Sequence, residues 1–216
     1  GKPMVVTYNG QLLEFNEHSQ SWVPYMEASI IRETFGTSLI PRDVYDDGNR
    51  IWITTDGNGL LFIDRNTKKI HQLKYSSVKG SLPSDKLLGF KPDPHNANLL
   101  WIGSYEGLIC LNKKTLKCRV FSLAQGLPDN TIYSVETDSK GYLWLSTNKG
   151  LCRFNRLNNH VRIFKTPYGL PGDEFNRFHH LALPDGHLAF GGPDGWTLFD
   201  PLNIRNDDFK PKVALT

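Results

Sequence analysis

The stretch DSKGYLWLSTNKGLCRFN, residues 138–155, holds a polar Gly turn, an apolar strand centred on Trp144, a second Gly turn and another strand ending at Phe154. Its neighbours repeat the pattern. DDGNRIWITTDGNGLLFIDRNTKKI begins at Asp46, PHNANLLWIGSYEGLICLNKKTLKC at Pro94, DSKGYLWLSTNKGLCRFNRLNNHV at Asp138 and PDGHLAFGGPDGWTLFDPLN at Pro184. Their anchors are Trp52, Trp101, Trp144 and Phe190, spaced 49, 43 and 46 residues apart, and the loop glycines Gly59, Gly107, Gly150 and Gly195 keep the same phase. A fainter copy, MVVTYNGQLLEFNEHSQSWVPY, starts at Met4 and lacks the first part of the unit. A period in the forties built from short strands signals a solenoid or a propeller.

Each unit also shares a lead-in: GTSLIPRDVYDD, GSLPSDKLLGF, GLPDNTIYSVETD and GLPGDEFNRFHHLALPD place a kink before one more apolar strand. Four strands, A to D, therefore make a unit. In the clearest copy they fall at 131–137, 142–146, 150–155 and 160–165. Leu143 and Leu145 alternate with Trp144, so both faces of strand B are apolar, as a sheet stacked between two others requires. Four antiparallel strands repeated radially are a propeller blade. The expected fold is all-β: a partial unit at 3–26 without strand A, complete units at about 36–76, 80–122, 126–166 and 170–200, and a linker at 201–216. Only 27–36 leaves room for a helical turn. The rival fold, a pair of β-sandwiches, does not explain why five units keep phase.

Composition agrees. Of 216 residues 39% are hydrophobic, and 5 Trp, 8 Tyr and 12 Phe with 19 Gly and 13 Pro favour strands and turns over helices. The net charge of +3 comes from 25 basic and 22 acidic residues scattered along the chain, which is no nucleic-acid footprint. No apolar run approaches the roughly 20 residues of a membrane helix, and no signal peptide is visible. The ends, Gly-Lys-Pro and KPKVALT, read as the interior of something longer.

Among chemical motifs, DGNG at 56–59 and the Asp46–Asp47 pair hint at a cation loop, but neither has calcium-ligand spacing and Asp beside Gly is ordinary turn chemistry. His179 and His180 are strand neighbours that point to opposite faces, and His187 is isolated, so no metal site follows. No nucleophilic triad order, P-loop or zincin motif is present. Asp43, Glu136 and Asp173 are the nearest candidates for catalytic carboxylates, yet nothing singles out a pair. Cys110 and Cys118 flank LNKKTLK. With a three-residue loop at 113–115 they would face each other across the C–D hairpin, slightly beyond disulfide reach. Two buried thiols are the default there, as is packing for Cys152.

GLPDNTIYSVETDSKGYLWLSTNKGLCRFN resembles the two-component-regulator propeller repeat, found in periplasmic sensor regions of bacterial hybrid histidine kinases and related signalling proteins. GLPGDEFNRFHHLALPDGHLAFGGPDGWTLFDPLNIRNDDFKPKVALT resembles that family's last blade, after which the chain runs into an immunoglobulin-like domain. The likeness covers nearly the whole chain, is strongest over 124–200 and is weak before residue 36. It implies a propeller of about seven blades, of which four complete units and one partial one stand here. It also implies a periplasmic location and a non-catalytic, cofactor-free module that senses a small polar ligand such as an oligosaccharide.

Propeller ligands meet the loops at one end of the channel, where the D–A and B–C connections converge. Hydrogen-bonding groups and one aromatic ring stand in those loops: Arg42, Asp43, Asp56, Asn58, Lys86, Tyr105, Glu106, Asn130, Asn148, Lys149, Asn176 and Arg177. Besides the ligand, the expected partners are the remaining blades and the immunoglobulin-like domain, with self-association through bare terminal blades. Two other readings stand beside the sensor. An apolar loop face would favour a protein-binding scaffold; a paired acid or a metal at the channel mouth would favour a propeller lyase or hydrolase.

Overall fold

Turn glycines and alternating apolar residues divide the chain into five antiparallel sheets, one per sequence unit. The structure, a computed structural model, describes residues 2–7, 11–26, 28–35 and 39–204. The first sheet holds β1 (Met4–Val6), β2 (Leu12–Asn16) and β3 (Ser21–Met26), followed by α1 (Ala28–Phe35). The second holds β4 (Pro41–Asp46), β5 (Arg50–Thr55), β6 (Leu60–Asp64) and β7 (Ile70–Leu73). The third holds β8 (Leu87–Pro92), β9 (Leu99–Ser104), β10 (Gly107–Asn112) and β11 (Cys118–Phe121). The fourth holds β12 (Ser134–Thr137), β13 (Leu143–Thr147), β14 (Gly150–Phe154) and β15 (Val161–Phe164). The fifth holds β16 (His180–Ala182), β17 (Leu188–Gly192) and β18 (Gly195–Phe199).

Every sheet is a meander in sequence order. The innermost strands β4, β8, β12 and β16 lie side by side and form the inner wall, and β1, the strand B of a first unit whose strand A is missing, lies against β4. These are propeller blades. Three have four strands and two have three, so only three units are complete among the described residues, one fewer than expected. The fourth repeat lacks its outer strand there because β18 runs straight into the turn at Pro201–Asn203. The proposed linker from residue 205 onward lies outside the described residues.

Four apolar cores fill the four gaps between blades. Ile51, Ile53, Leu61 and Ile63 face the first blade. Trp52 packs with Leu100, Ile102, Ile109 and Leu111; Trp101 with Leu143, Leu145 and Phe154; Trp144 with Phe175, Leu188 and Phe190. Leu143 and Leu145 thus face one neighbour and Trp144 the other, as their alternation requires. The lead-in leucines have the same structural meaning: Leu39, Leu82, Leu127 and Leu170 each plug one of the four gaps.

Two repeated polar devices fix the second, third and fourth blades. A buried indole must find an acceptor. Trp52, Trp101 and Trp144 donate Nε1–H to Asp47, Asp93 and Asp138 at 2.9, 2.8 and 2.9 Å, so the A–B turn acid is what each tryptophan needs. In the fourth repeat Phe190 replaces the indole, and Asp185 instead caps its own turn through the His187 amide. At the opposite end Thr55, Ser104 and Thr147 donate their hydroxyls to the carbonyls of Gly59, Gly107 and Gly150, closing each B–C loop. Gly107 has φ +121°, and a Cβ there would lie 2.3 Å from the Phe121 carbonyl oxygen. Only glycine fits.

The cysteine geometry differs from the sequence expectation. The β10–β11 register sets Leu111 opposite Cys118 and Arg119 opposite Cys110. The one-residue offset sends the thiols to opposite faces, Cys110 into the core beside Trp101 and Cys118 into the core beside Trp52. All three cysteines are free and buried, and burial pushes Cys118 to about 11 and Cys152 to about 12. The turn spans 113–117 rather than three residues, which moved the register by one.

The two terminal blades each keep a bare face. On the fifth, Leu181, Trp196 and Leu198 are exposed, and Leu181 and Trp196 border a groove of about 490 Å³. On the first, Trp22 stands exposed, edge-on to Phe15 at 5.2 Å.

Candidate functional site

The B–C and D–A loops meet at one end of the blades because the backbone ties them there. Gly57 and Gly59 donate to the Asp85 carbonyl, Ile132 to Ser104, Gly150 to Asp173 and Phe175 to Thr147. Asp56 and Lys86 form an isolated bridge across two blades. The opposite end carries the A–B and C–D turns, where Arg65 donates to the Asn49 carbonyl and Lys113 to Asn98.

The loop residues named from the sequence divide by their partners. Arg42 pairs with Asp56, and its guanidinium faces the exposed Phe178 ring from 5.9 Å, linking the second blade to the fifth. Asn148 accepts a 2.7 Å hydrogen bond from Tyr133, and Lys149 lies 3.6 Å from Asp129. The Asn176 amide contacts His179 Nδ1 at 3.3 Å. Asn130 is spent locally, accepting from the Leu123 amide, and Asn58 holds the Gln72 amide through its backbone carbonyl. Lys86 and Glu106 are exposed, while Tyr105 and Arg177 are half-buried in the same loops. Asp43 stands apart, one turn deeper on β4.

That depth brings together groups which sequence reasoning named singly or, for Lys91, not at all. Glu136 on β12 accepts from His180 Nδ1 on β16 at 2.9 Å and pairs with Lys91 on β8 at 2.5 Å. Lys91, Glu136 and His180 stand opposite Trp101, Trp144 and Phe190 in their registers. They are therefore one position of the repeat, and stacking the repeats as columns would have shown a charged belt. Its members come from three successive blades. Burial pushes the Glu136 carboxyl up, but the His180 hydrogen bond and the Lys91 charge outweigh it, so the group is held below its ordinary range. Asp43 is different: burial pushes its carboxyl up, against the amide hydrogen bonds of Phe90 and Val44.

A depressed carboxylate stabilises the fold above its unfolded pKa, and that contribution is lost as pH falls through its folded pKa. The Glu136 contribution is therefore present at neutral pH and disappears on acidification below the usual carboxylate range. Thermal midpoints taken from pH 6 to 3 should fall less steeply for Glu136→Gln than for the wild type. Parallel slopes would show that the belt adds nothing to folding.

The two component regulator propeller family matches residues 126–149. No curated protein matches the sequence. Among solved structures, the extracellular domain of a protein described as a hybrid two component system, BT3049 from B. thetaiotaomicron, is similar with TM-score 0.67 and 23% identity over 91% of this chain and 27% of that one. The corresponding domain of BT4673 from the same organism gives 0.67 and 20% over 90% and 27%. PorZ, a surface component of the type-IX secretion system of Porphyromonas gingivalis, gives 0.63 and 13% over 92% and 32%. The chain thus spans about a quarter to a third of these structures, and at these identities they share its fold. Among the described residues no helix is long and apolar enough to cross a membrane.

Proposed function

We propose that this chain, whose residues 126–149 are a two component regulator propeller repeat, is part of the ligand-sensing region of an extracytoplasmic signalling protein. The observation that carries the reading is the convergence of B–C and D–A loops from neighbouring blades at one end, which gathers hydrogen-bonding side chains there. Sugar hydroxyls and ring faces call for that mixture of polar groups with a few aromatics, here Tyr105 and Phe178. The ligand class is an oligosaccharide or a similar polar molecule, and the module is non-catalytic. Similar folds from B. thetaiotaomicron are extracellular domains, which supports a periplasmic location. Binding would shift how the propeller packs on a following immunoglobulin-like domain and so pass the signal on.

The test is a thermal shift of a complete propeller containing this chain against a library of oligosaccharides. A ligand at 100 times its Kd adds about 2.7 kcal/mol, a shift of several degrees. A library without a stabilising member would remove the oligosaccharide reading.

The bare faces of the first and fifth blades support a second part of the proposal, that they are covered by further blades of a ring of about seven or by another copy of the chain. An exposed sheet face carrying Trp196, Leu181 and Leu198 is a contact surface rather than a solvated one. Light scattering of the 216-residue chain at micromolar concentration should report a dimer or larger species. A monomer that persists across dilution counts against it.

A further inference from the structure

We propose that the outer rim of the second, third and fourth blades is a docking surface for a linear acidic polysaccharide. The rim is separate from the loop face and does not rest on the sensor reading. Charges that look scattered along the chain are sorted by the blade. Each outer segment, from the C–D turn through strand D to the Leu-Pro kink, is basic. Residues 65–83 hold five Lys or Arg, 113–128 four and 155–171 three, and none of these segments holds an Asp or Glu. The acids that border them are spent on turn amides: Asp64 accepts from Asn66 and Thr67, Asp85 from Tyr75 and Asp173 from Thr166. Arg65, Lys113 and Arg156 pair with the A–B turn acids Asp46, Asp47 and Asp93, and Lys165 lies 4.0 Å from Asp173. Lys69, Lys74, Lys79, Lys114 and Lys117 are exposed and enter no ion pair among the described residues.

The fold joins these segments into one surface. The connector after each strand D crosses onto the outer strand of the next blade. The Cys118 amide on β11 donates to the Gly80 carbonyl at 2.8 Å, and the Lys117 side chain lies against Gly80, so Lys79 and Lys117 become neighbours across the gap. Gly126 lies against Val161 on β15 in the same way, which carries the surface from Arg119 to Arg162. Exposed apolar side chains stand between the cations: Tyr75 and Val78 on the first connector, Leu123 on the second and Tyr168 on the third. That mixture selects the partner. Exposed ammonium groups attract a polyanion through a screened field, and the tyrosine rings offer apolar faces on which sugar rings can rest. A nucleic acid strand needs neighbouring rings on which successive bases stack, whereas Tyr75 and Tyr168 lie two connectors apart. A bilayer is flat, and a rim that spans three blades turns away from any plane.

The experiment measures binding of fluorescein-labelled polygalacturonate, in its free-acid form, to the 216-residue chain by fluorescence anisotropy. The fully methyl-esterified polymer, which keeps the backbone and loses the charge, is the control. Saturable binding of the acid form alone is expected, weakened about ten-fold or more between roughly 50 and 300 mM NaCl. Lys117→Glu should weaken it about five-fold or more, whereas Lys140→Glu, the same charge change at an exposed inner A–B turn, should weaken it less than about two-fold. Neither lysine has a partner to lose, so both variants should keep the wild-type melting temperature. Absence of binding, equal binding of the ester, or equal losses in the two variants would overturn the proposal, the last by showing a response to net charge alone. Tighter binding of poly(dT) or of phosphatidylglycerol vesicles would overturn it too, and would assign the rim to a nucleic acid or a membrane. A library binder at the loop face should keep its affinity in Lys117→Glu, so failure at the rim leaves the sensor reading standing and the reverse holds as well.

Discussion

Trp144→Ala is expected to cost about 3–5 kcal/mol of stability, seen as a lower urea midpoint with little change in slope. The indole is fully buried, its ring 5.4 Å from Phe164 and 4.9 Å from Phe199, in the core between the fourth and fifth blades. Strand backbones on both sides hold that core open, so it cannot collapse around an alanine, and the cavity term adds to the lost transfer energy. Trp144→Phe keeps most of the volume and should cost clearly less. Asn148→Ala is the surface comparison. It removes one half-buried hydrogen bond from Tyr133 and should cost about 0.5–1.5 kcal/mol. A reversed ranking would mean that the anchor column does not form the inter-blade core.

Asp138→Ala should come second, at about 2–4 kcal/mol, although it removes only a small acidic side chain. The carboxylate is buried. One oxygen accepts from the Trp144 indole at 2.9 Å and the other from the amides of Lys140 and Tyr142 at 3.0 Å. Alanine leaves a buried indole N–H without an acceptor and frees the turn that sets the strand register. The two residues act as a unit, so their effects should not add. In a Trp144→Phe background the indole donor is already gone, and Asp138→Ala should cost at least 1 kcal/mol less than in the wild type. Additive losses in the four urea titrations would sink the pairing as the source of the effect.

The repeat columns explain how much of this was legible in advance. Anchors, loop glycines and lead-in leucines are local features, repeated every forty-odd residues, and they mark strands, turns and blade boundaries. The four-strand unit and the apolar double face of strand B follow from such local periodicity, whereas the helix Ala28–Phe35 stands where the sequence only left room for a helical turn. So does the family likeness, which centres on residues 126–149. The Asp–Trp pairs were also within reach, because an acid stands five to eight residues before each indole, but a turn acid has its own local explanation and hid its second partner.

What tertiary structure decided lies one blade or more away in the chain. Glu136 meets His180 across 44 residues, and Asp43 meets the Phe90 amide across 47. Local pattern constrains which face of a strand a residue takes. It says nothing of how far the next inner strand is displaced, and that displacement turned Lys91, Glu136 and His180 from three unrelated residues into a belt. The cysteines make the same point at close range: a turn two residues longer than expected shifted the register by one, and in a strand of period two that sends a side chain to the opposite face. Sequence alone determined the blades and the order of their strands, because those depend on neighbours along the chain. The Lys91–Glu136–His180 belt and the arrangement of the loop residues were settled only in three dimensions, because their partners are brought together by the stacking of one blade on the next.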